Sequence, residues 1–117
     1  MNQPAFDFEA ARKARDAGIR RAVDHAEDVT PKWADRAYDF LQGYLRTNER
    51  LTSEDVREAA KGLVPEPPSL RAWGGVFQRA ARAGLIERAG YGTARDPRVH
   101  MNVVTVWQSR LFGRAAA

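Results

Sequence analysis

Cysteine is absent from the 117 residues, and its absence excludes several kinds of site. Without thiols the chain has no disulfide framework, no thiolate metal site and no cysteine nucleophile. No apolar run reaches the roughly 18 residues of a membrane span. A signal peptide has a basic segment followed by an apolar one, whereas here Phe6 and Phe8 are followed by Asp7 and Glu9. We therefore expect a soluble, cytoplasmic protein with no membrane partner.

The sequence also lacks the common catalytic patterns. It contains no phosphate-binding glycine loop of the G-x-x-x-x-G-K or G-x-G-x-x-G type and no H-E-x-x-H metal motif. His25 lies among acidic residues on a charged helix but has no second histidine one turn away, and His100 has only Asp96 as a nearby carboxylate. We predict a nonenzymatic protein with no catalytic residues, no metal ligands and no cofactor.

Acidic residues become scarce in the second half of the chain. Residues 1–66 hold 11 Lys and Arg against 13 Asp and Glu, a net charge of −2, whereas residues 67–117 hold 8 Arg against Glu87 and Asp96, a net charge of +6. Genome composition can account for the choice of arginine over lysine, but not for the lack of acids. The concentrated positive charge favours a polyanionic partner such as nucleic acid.

Apolar spacing and capping residues predict a mainly α fold with a small β-hairpin. The predicted elements are a helix over 6–27, a helix that starts at Thr30-Pro31 and runs to residue 48, a short strand at Leu51-Thr52, a helix from Thr52 or Ser53 to Gly62, a helix over 70–83 capped by Ser69 and ended by Gly84, and strands over 85–92 and 99–109. Residues 1–29 form an N-terminal charged helix for packing or dimerisation, 30–110 the main domain and 111–117 a flexible tail.

The third main-domain helix, over 70–83, has two distinct faces. Its apolar side is expected to face the core, and its outer side has no acid; that outer side carries Arg71, Gly75, Gln78 and Arg82, with Gly74 and Arg79 at the margins. Arginine can pair with guanine edges and glutamine with adenine edges in a major groove, and Ser69 with the helix start can hold a phosphate. The adjacent glycines indicate either groove contact or tight packing against Trp33 or Trp73.

The hairpin supplies a second cationic group. Arg88 lies on the first strand, and Arg95, Arg98 and His100 lie at the tip, where they could contact the DNA backbone or minor groove. The three tryptophans are predicted to lie in the core rather than to stack on bases, and Tyr91 is left undecided.

Residues 71–86, RAWGGVFQRAARAGLI, with the PEPP linker before them and the VTVW strand after them, resemble winged helix-turn-helix domains. With residues 15–27, they are similar to small proteins encoded by bacteriophages and prophages. The resemblance implies a winged helix-turn-helix preceded by an N-terminal helix. It implies this fold and a mobile-element setting, but no particular activity. From the basic outer face of the helix over 70–83 and the basic hairpin we predict binding to double-stranded DNA in the bacterial host, with the recognition helix in the major groove and the wing on the backbone or in the minor groove.

That activity would serve transcriptional regulation or replication of the phage element, with a homodimer through the N-terminal helix as one arrangement. Winged helices also serve as protein-interaction modules. The alternative is therefore an inhibitor or adaptor whose basic face binds an acidic host or phage protein.

Overall fold

The computed structural model describes residues 7–95 and 103–114. Within these ranges the chain folds into four helices and a three-stranded antiparallel sheet, so the mainly α fold with a small hairpin is confirmed at this level. The elements are α1 (Phe8–Val29), α2 (Trp33–Thr47), β1 (Arg50–Leu51), α3 (Ser53–Ala60), α4 (Arg71–Arg82), β2 (Ile86–Thr93) and β3 (Val103–Ser109).

The junction between α1 and α2 differs from the expected start at Thr30-Pro31. Thr30 ends α1, since its N–H donates to the Ala26 carbonyl at 2.8 Å. Helix α2 begins after Lys32, which has a left-handed backbone with φ 63°, and Glu27 of α1 accepts the Ala34 N–H at 2.8 Å. The prediction of Thr30 as the N-cap is therefore wrong, because this short connection uses Thr30 to close the preceding helix.

The start of α3 and the end of α4 follow the sequence signals, whereas α3 ends at Ala60, two residues before Gly62, and the N-cap of α4 is Leu70 rather than Ser69. Thr52 caps α3 through a capping box in which its hydroxyl accepts the Asp55 N–H while Asp55 accepts the Thr52 N–H. Ser69 Oγ accepts the Arg71 N–H at 3.3 Å at the start of α4. Gly84 follows α4 with φ 76°, a conformation that glycine adopts without steric cost.

Two tryptophans form the centre of the core. Trp33 is fully buried and Trp73 almost so, and their rings meet edge to face with centroids 5.4 Å apart. The Trp33 Nε1–H donates to the Pro65 carbonyl at 2.7 Å, which ties the proline-rich connection to α2. The predicted core positions of these two side chains are confirmed, whereas Trp107 is half-buried beside Phe77.

The sheet joins the end of α2 to the hairpin. Strand β3 is central, with β1 on one side and β2 on the other, and Leu51 pairs with Trp107. The buried Ser109 hydroxyl donates to the Leu45 carbonyl at 2.6 Å. In the segment expected to be a flexible tail, the Gly113 N–H donates to the Arg46 carbonyl at 3.0 Å.

Candidate nucleic-acid interface

Helix α1 packs across α4, and the glycine pair of α4 lies at the contact. A Cβ atom on Gly75 would lie 2.7 Å from Val23 Cγ2, and one on Gly74 would lie 3.3 Å from Ile19 Cδ1. Of the two explanations for the pair, the structure shows tight packing. The partners are Ile19 and Val23 of α1 rather than Trp33 or Trp73.

This packing covers part of the outer face of α4. Gln78 Nε2 donates to Asp16 Oδ1 of α1 at 3.1 Å, and Gly75 lies beneath Val23. Gly75 and Gln78 are therefore partly buried by α1 rather than fully open, and their predicted contacts with DNA remain predictions. Arg71 and Arg82, near the two ends of α4, are exposed.

Gly18 allows a similar approach near the start of α4. A Cβ atom there would lie 3.3 Å from Arg71 Nη1 and 3.8 Å from Arg21 Nη2. The guanidinium of Arg71 thus extends over α1, and that of Arg21 approaches the same point. The side chains of Arg21 and Arg71 thus come together beside the buried Gly18. Helix propensity alone would only predict that this glycine weakens α1.

Arg79 lies on the opposite margin of α4. Its Nη1 is 3.0 Å from Asp35 Oδ1, and its guanidinium carbon lies 3.9 Å from the centroid of the Tyr38 ring. Both partners belong to α2. In this arrangement Arg79 links two helices, and its predicted contact with DNA remains a prediction.

Arg95, after β2, contacts three carboxylates of α3. Its guanidinium is 2.7 Å from Asp55 Oδ1 and 3.3 Å from Glu58 Oε2, and its backbone N–H is 3.2 Å from both oxygens of Glu54. Its charge is therefore compensated within the fold. A count of arginines in the sequence therefore overestimates the positive charge that the hairpin has available for an anion.

The remaining predicted wing residues, Arg98 and His100, lie outside the described residues. Their proposed contacts with DNA remain predictions. Ser69 accepts the Arg71 N–H at 3.3 Å, and its O–H is still able to donate, so its predicted contact with a phosphate remains a prediction. This hydrogen bond uses one of the free N–H groups at the helix start.

The Asp55 carboxylate is held in its charged form. Burial would raise its pKa, but the hydrogen bond from the Thr52 N–H and the interaction with Arg95 outweigh burial and lower the pKa from 3.8. The neighbouring Tyr44 has a raised pKa because of burial and, next, the negative charge of Asp55. Asp55 thus connects the capping box of α3 to the residue after β2.

Replacing Asp55 with Asn is expected to lower the free energy of unfolding at neutral pH by roughly 0.3–1 kcal/mol, since an anion in the first helical turn is removed. The folded-state pKa of Asp55 lies below its ordinary 3.8, so its contribution is full above that value and is lost as pH falls through the folded pKa. Urea unfolding at several pH values should show the two proteins converging in acid. Exposed Asp39→Asn on α2 is the control, and an equal difference at low pH would contradict the charge argument.

A groove runs between α1 and the hairpin, with α4 as its floor. It consists of two adjoining cavities of about 640 and 490 Å³ that share Arg15, Ile19, Phe77 and Trp107. We call it the arginine groove, because five arginines border it. They are Arg15, Arg57, Arg71, Arg82 and Arg88.

Most of these arginines have no acidic partner among the described residues. In the ranges 7–95 and 103–114, Arg57, Arg71, Arg82 and Arg88 make no ion pair, while Arg15 lies 3.5 Å from Asp16. The described residues that line the larger cavity include no acid. The smaller cavity is also lined by Asp16, which contacts Arg15 and Gln78, and by Glu87, which pairs with Arg110. The groove therefore combines an apolar floor with an excess of positive charge, an arrangement that suits an anionic ligand.

The hairpin face toward α4 extends the groove with aromatic groups. Arg88 pairs with Trp107 across the strands, with its guanidinium carbon 5.9 Å from the centroid of the indole. Tyr91, paired with Thr105, is 73% exposed. Sequence patterns do not decide between core and surface for Tyr91, and they do not identify Arg57, because its place in the groove depends on how α3 and α4 meet.

No described helix is long and apolar enough to cross a membrane. The described residues also contain no group of three or more His, Asp or Glu side chains placed to hold a metal ion. A scan of family models and searches of curated proteins and solved structures found no match to this chain.

Proposed function

We propose that this chain is a nonenzymatic DNA-binding protein and that the arginine groove is its contact surface. The observation that carries the proposal is the set of four guanidiniums, without ion pairs in the described part of the chain, around an apolar floor. Like charges gathered without counterions repel one another, and phosphates would relieve that repulsion. Arginine forks match phosphate geometry and are the residues that most often form such contacts.

The order of elements supports a winged helix-turn-helix as the finer description of the fold. A core helix, a short strand, two helices and a hairpin follow one another from α2 to β3, and the short strand joins the hairpin through its second strand. In that description α4 is the recognition helix and β2–β3 is the wing. A role in transcription or replication of a phage element belongs to the same proposal and rests on the sequence resemblance.

The proposed contact surface differs from simple insertion of α4 into a major groove. Gly75 packs against Val23 of α1 and Gln78 is hydrogen-bonded to Asp16, so base contacts from these positions require that packing or that hydrogen bond to give way. The exposed arginines of the groove need no such movement. Arg71, Arg82 and Arg88 therefore keep their proposed role as DNA contacts, directed at the backbone.

An acidic protein partner is the second candidate. The apolar side chains that line the groove favour it, because buried interface centres are rich in aromatic and aliphatic groups; these side chains include Ile19, Phe77 and Trp107. An acidic segment with a few apolar side chains would fit the same charges.

The test removes three of the four groove charges that carry the proposal. An Arg57→Gln, Arg71→Gln, Arg82→Gln variant is expected to bind duplex DNA roughly 10- to 100-fold more weakly at low salt, at about 0.5–1 kcal/mol per exposed contact. The slope of log affinity against log salt should become shallower by about 0.9 for each phosphate that the variant no longer neutralises. Fluorescence anisotropy with a labelled duplex measures both quantities.

The control removes the same net charge away from the groove. Lys32, Arg36 and Lys61 are exposed and lie outside the groove lining, and their triple Gln variant should bind within about threefold of the parent protein. Equal weakening in the two triple variants would show only general attraction and would contradict the proposed surface. Unchanged DNA binding together with loss of a protein partner in the groove variant would favour the second candidate.

A further inference from the structure

Arg88, Tyr91 and Trp107 lie on one face of the hairpin, and we call this set the hairpin platform. The positions on this face closest to the core are buried Ile86 and Ser109. Farther along, the same face carries half-buried Trp107 with Arg88 over its ring, and then Tyr91 with most of its ring in solvent. The platform continues the arginine groove, since Trp107 and Arg88 belong to both.

A bulge in β2 places Tyr91 on this face. The register shifts between Arg88, which opposes Trp107, and Gly90, which opposes Val106, so Ala89 is the extra residue. With uninterrupted pairing, Tyr91 would oppose Val104 and point to the other side of the sheet. Gly90 has φ 135°, which few residues other than glycine can adopt. An irregular backbone thus brings an exposed aromatic ring beside an arginine–tryptophan pair.

The chemistry of the platform distinguishes unpaired from paired nucleic acid. Exposed aromatic side chains bind nucleic acid by stacking on the flat faces of the bases. In a single strand those faces are accessible, whereas in a duplex neighbouring bases cover them. Arg57 and Arg71 lie in the groove next to the platform, where they could follow a phosphate backbone. Helix α1 meanwhile packs on Gly75 and holds Gln78 by a hydrogen bond, so the centre of the helix face that would read a duplex is partly blocked in this arrangement.

From this geometry we infer that the protein binds single-stranded DNA, with bases stacked on Tyr91 and the exposed part of Trp107 and with phosphates on the groove arginines. The inference rests on the proposed nucleic-acid function and specifies its substrate. The platform supplies stacking, and the groove supplies charge. Binding should tolerate different base sequences, since every base presents a flat face.

The test compares Tyr91→Ala with Tyr91→Phe in the full chain. With an oligodeoxythymidine of about 12 nucleotides, Tyr91→Ala should weaken binding roughly 5- to 100-fold. This is the range expected when one stacked base loses the aromatic side chain beneath it. Tyr91→Phe keeps the ring and should bind within about twofold of the parent protein. Affinity for a duplex of equal length should change by less than about twofold in either variant, because stacked bases do not contact the ring.

Leu63→Ala is the matched control, because Leu63 is also an exposed large apolar residue, at 68%, and lies outside the groove lining. It should leave both affinities unchanged. Unchanged single-strand affinity in Tyr91→Ala, or equal weakening for single strand and duplex, would overturn the stacking inference.

The two proposals fail in different ways. If the groove triple variant weakens binding to both nucleic acids while Tyr91→Ala changes neither, the proposed function stands and the single-strand inference is wrong. If the parent protein binds neither nucleic acid, both are wrong. The protein could also bind a glutamate- and leucine-rich peptide more tightly than oligodeoxythymidine, with an affinity that depends on Tyr91. That result would assign the platform to a protein partner and overturn the inference.

Discussion

A Trp33→Ala variant should lose about 3–5 kcal/mol of folding free energy, the cost typical of deleting a large buried aromatic side chain. Trp33 is fully buried, contacts Trp73 edge to face and donates to the Pro65 carbonyl at 2.7 Å. Domains of this size have about 5–15 kcal/mol in total, so this loss would remove from about a fifth to all of the stability. Urea unfolding should show a much lower midpoint with a similar slope.

Trp33→Phe separates the hydrogen bond from the packing. An aromatic ring remains, but the Pro65 carbonyl loses its donor, at an expected cost of about 1–3 kcal/mol. Exposed Leu63→Ala should change stability by less than about 0.5 kcal/mol. Similar destabilisation by Trp33→Phe and Trp33→Ala would show that the hydrogen bond dominates, contrary to the packing argument.

The sequence predicts the parts of the fold that depend on local chemistry. Trp33 and Trp73 fall on apolar helix faces, Thr52 has a capping partner three residues later, and Gly84 lies where a helix must stop; the structure confirms all four positions. The junction at Thr30 could not be read in the same way. A threonine before a proline suits a helix start, but whether it is needed to close the preceding helix depends on the path of the whole connection.

The candidate site was less accessible to sequence reasoning, because it is made by packing between distant segments. Periodicity shows which face of α4 is apolar, but not which helix covers the opposite face. The adjacent glycines of α4 indicate a close approach, but nothing in the sequence identifies Val23 of α1 as the partner of Gly75. Likewise, the charge of Arg95 is compensated by Asp55 and Glu58, which lie about forty residues earlier in the chain.

The position of α1 determines which surface of α4 is available. It covers the centre of the outer face and leaves Arg71 and Arg82 exposed near the ends. The same helix forms one wall of the arginine groove through Arg15 and Ile19. Part of its apolar side, including Ala22 and Ala26, is already buried within the chain. Dimerisation through α1 remains a prediction that would have to use its exposed residues.

Adding a methyl group to either glycine of α4 tests how tightly α1 is held. Gly75→Ala should be less stable than Gly74→Ala by about 1–3 kcal/mol, the usual cost of overpacking. Both variants gain the same helix propensity, about 1 kcal/mol, so their difference isolates the contact with α1. The new Cβ on Gly75 would lie 2.7 Å from a methyl of Val23, which is stiff in a helix, whereas the one on Gly74 meets the flexible end of Ile19 at 3.3 Å.

Adding Val23→Ala to Gly75→Ala should recover most of the stability, and thermal unfolding of the four proteins in this double-mutant cycle measures the coupling. Equal stability of the two glycine variants would contradict the packing. The same Gly75→Ala protein distinguishes the two modes of DNA binding.

If the new methyl group displaces α1 and α4 then reads the major groove, the affinity for duplex DNA should rise. If DNA occupies the arginine groove, affinity should fall, because α1 forms one of its walls.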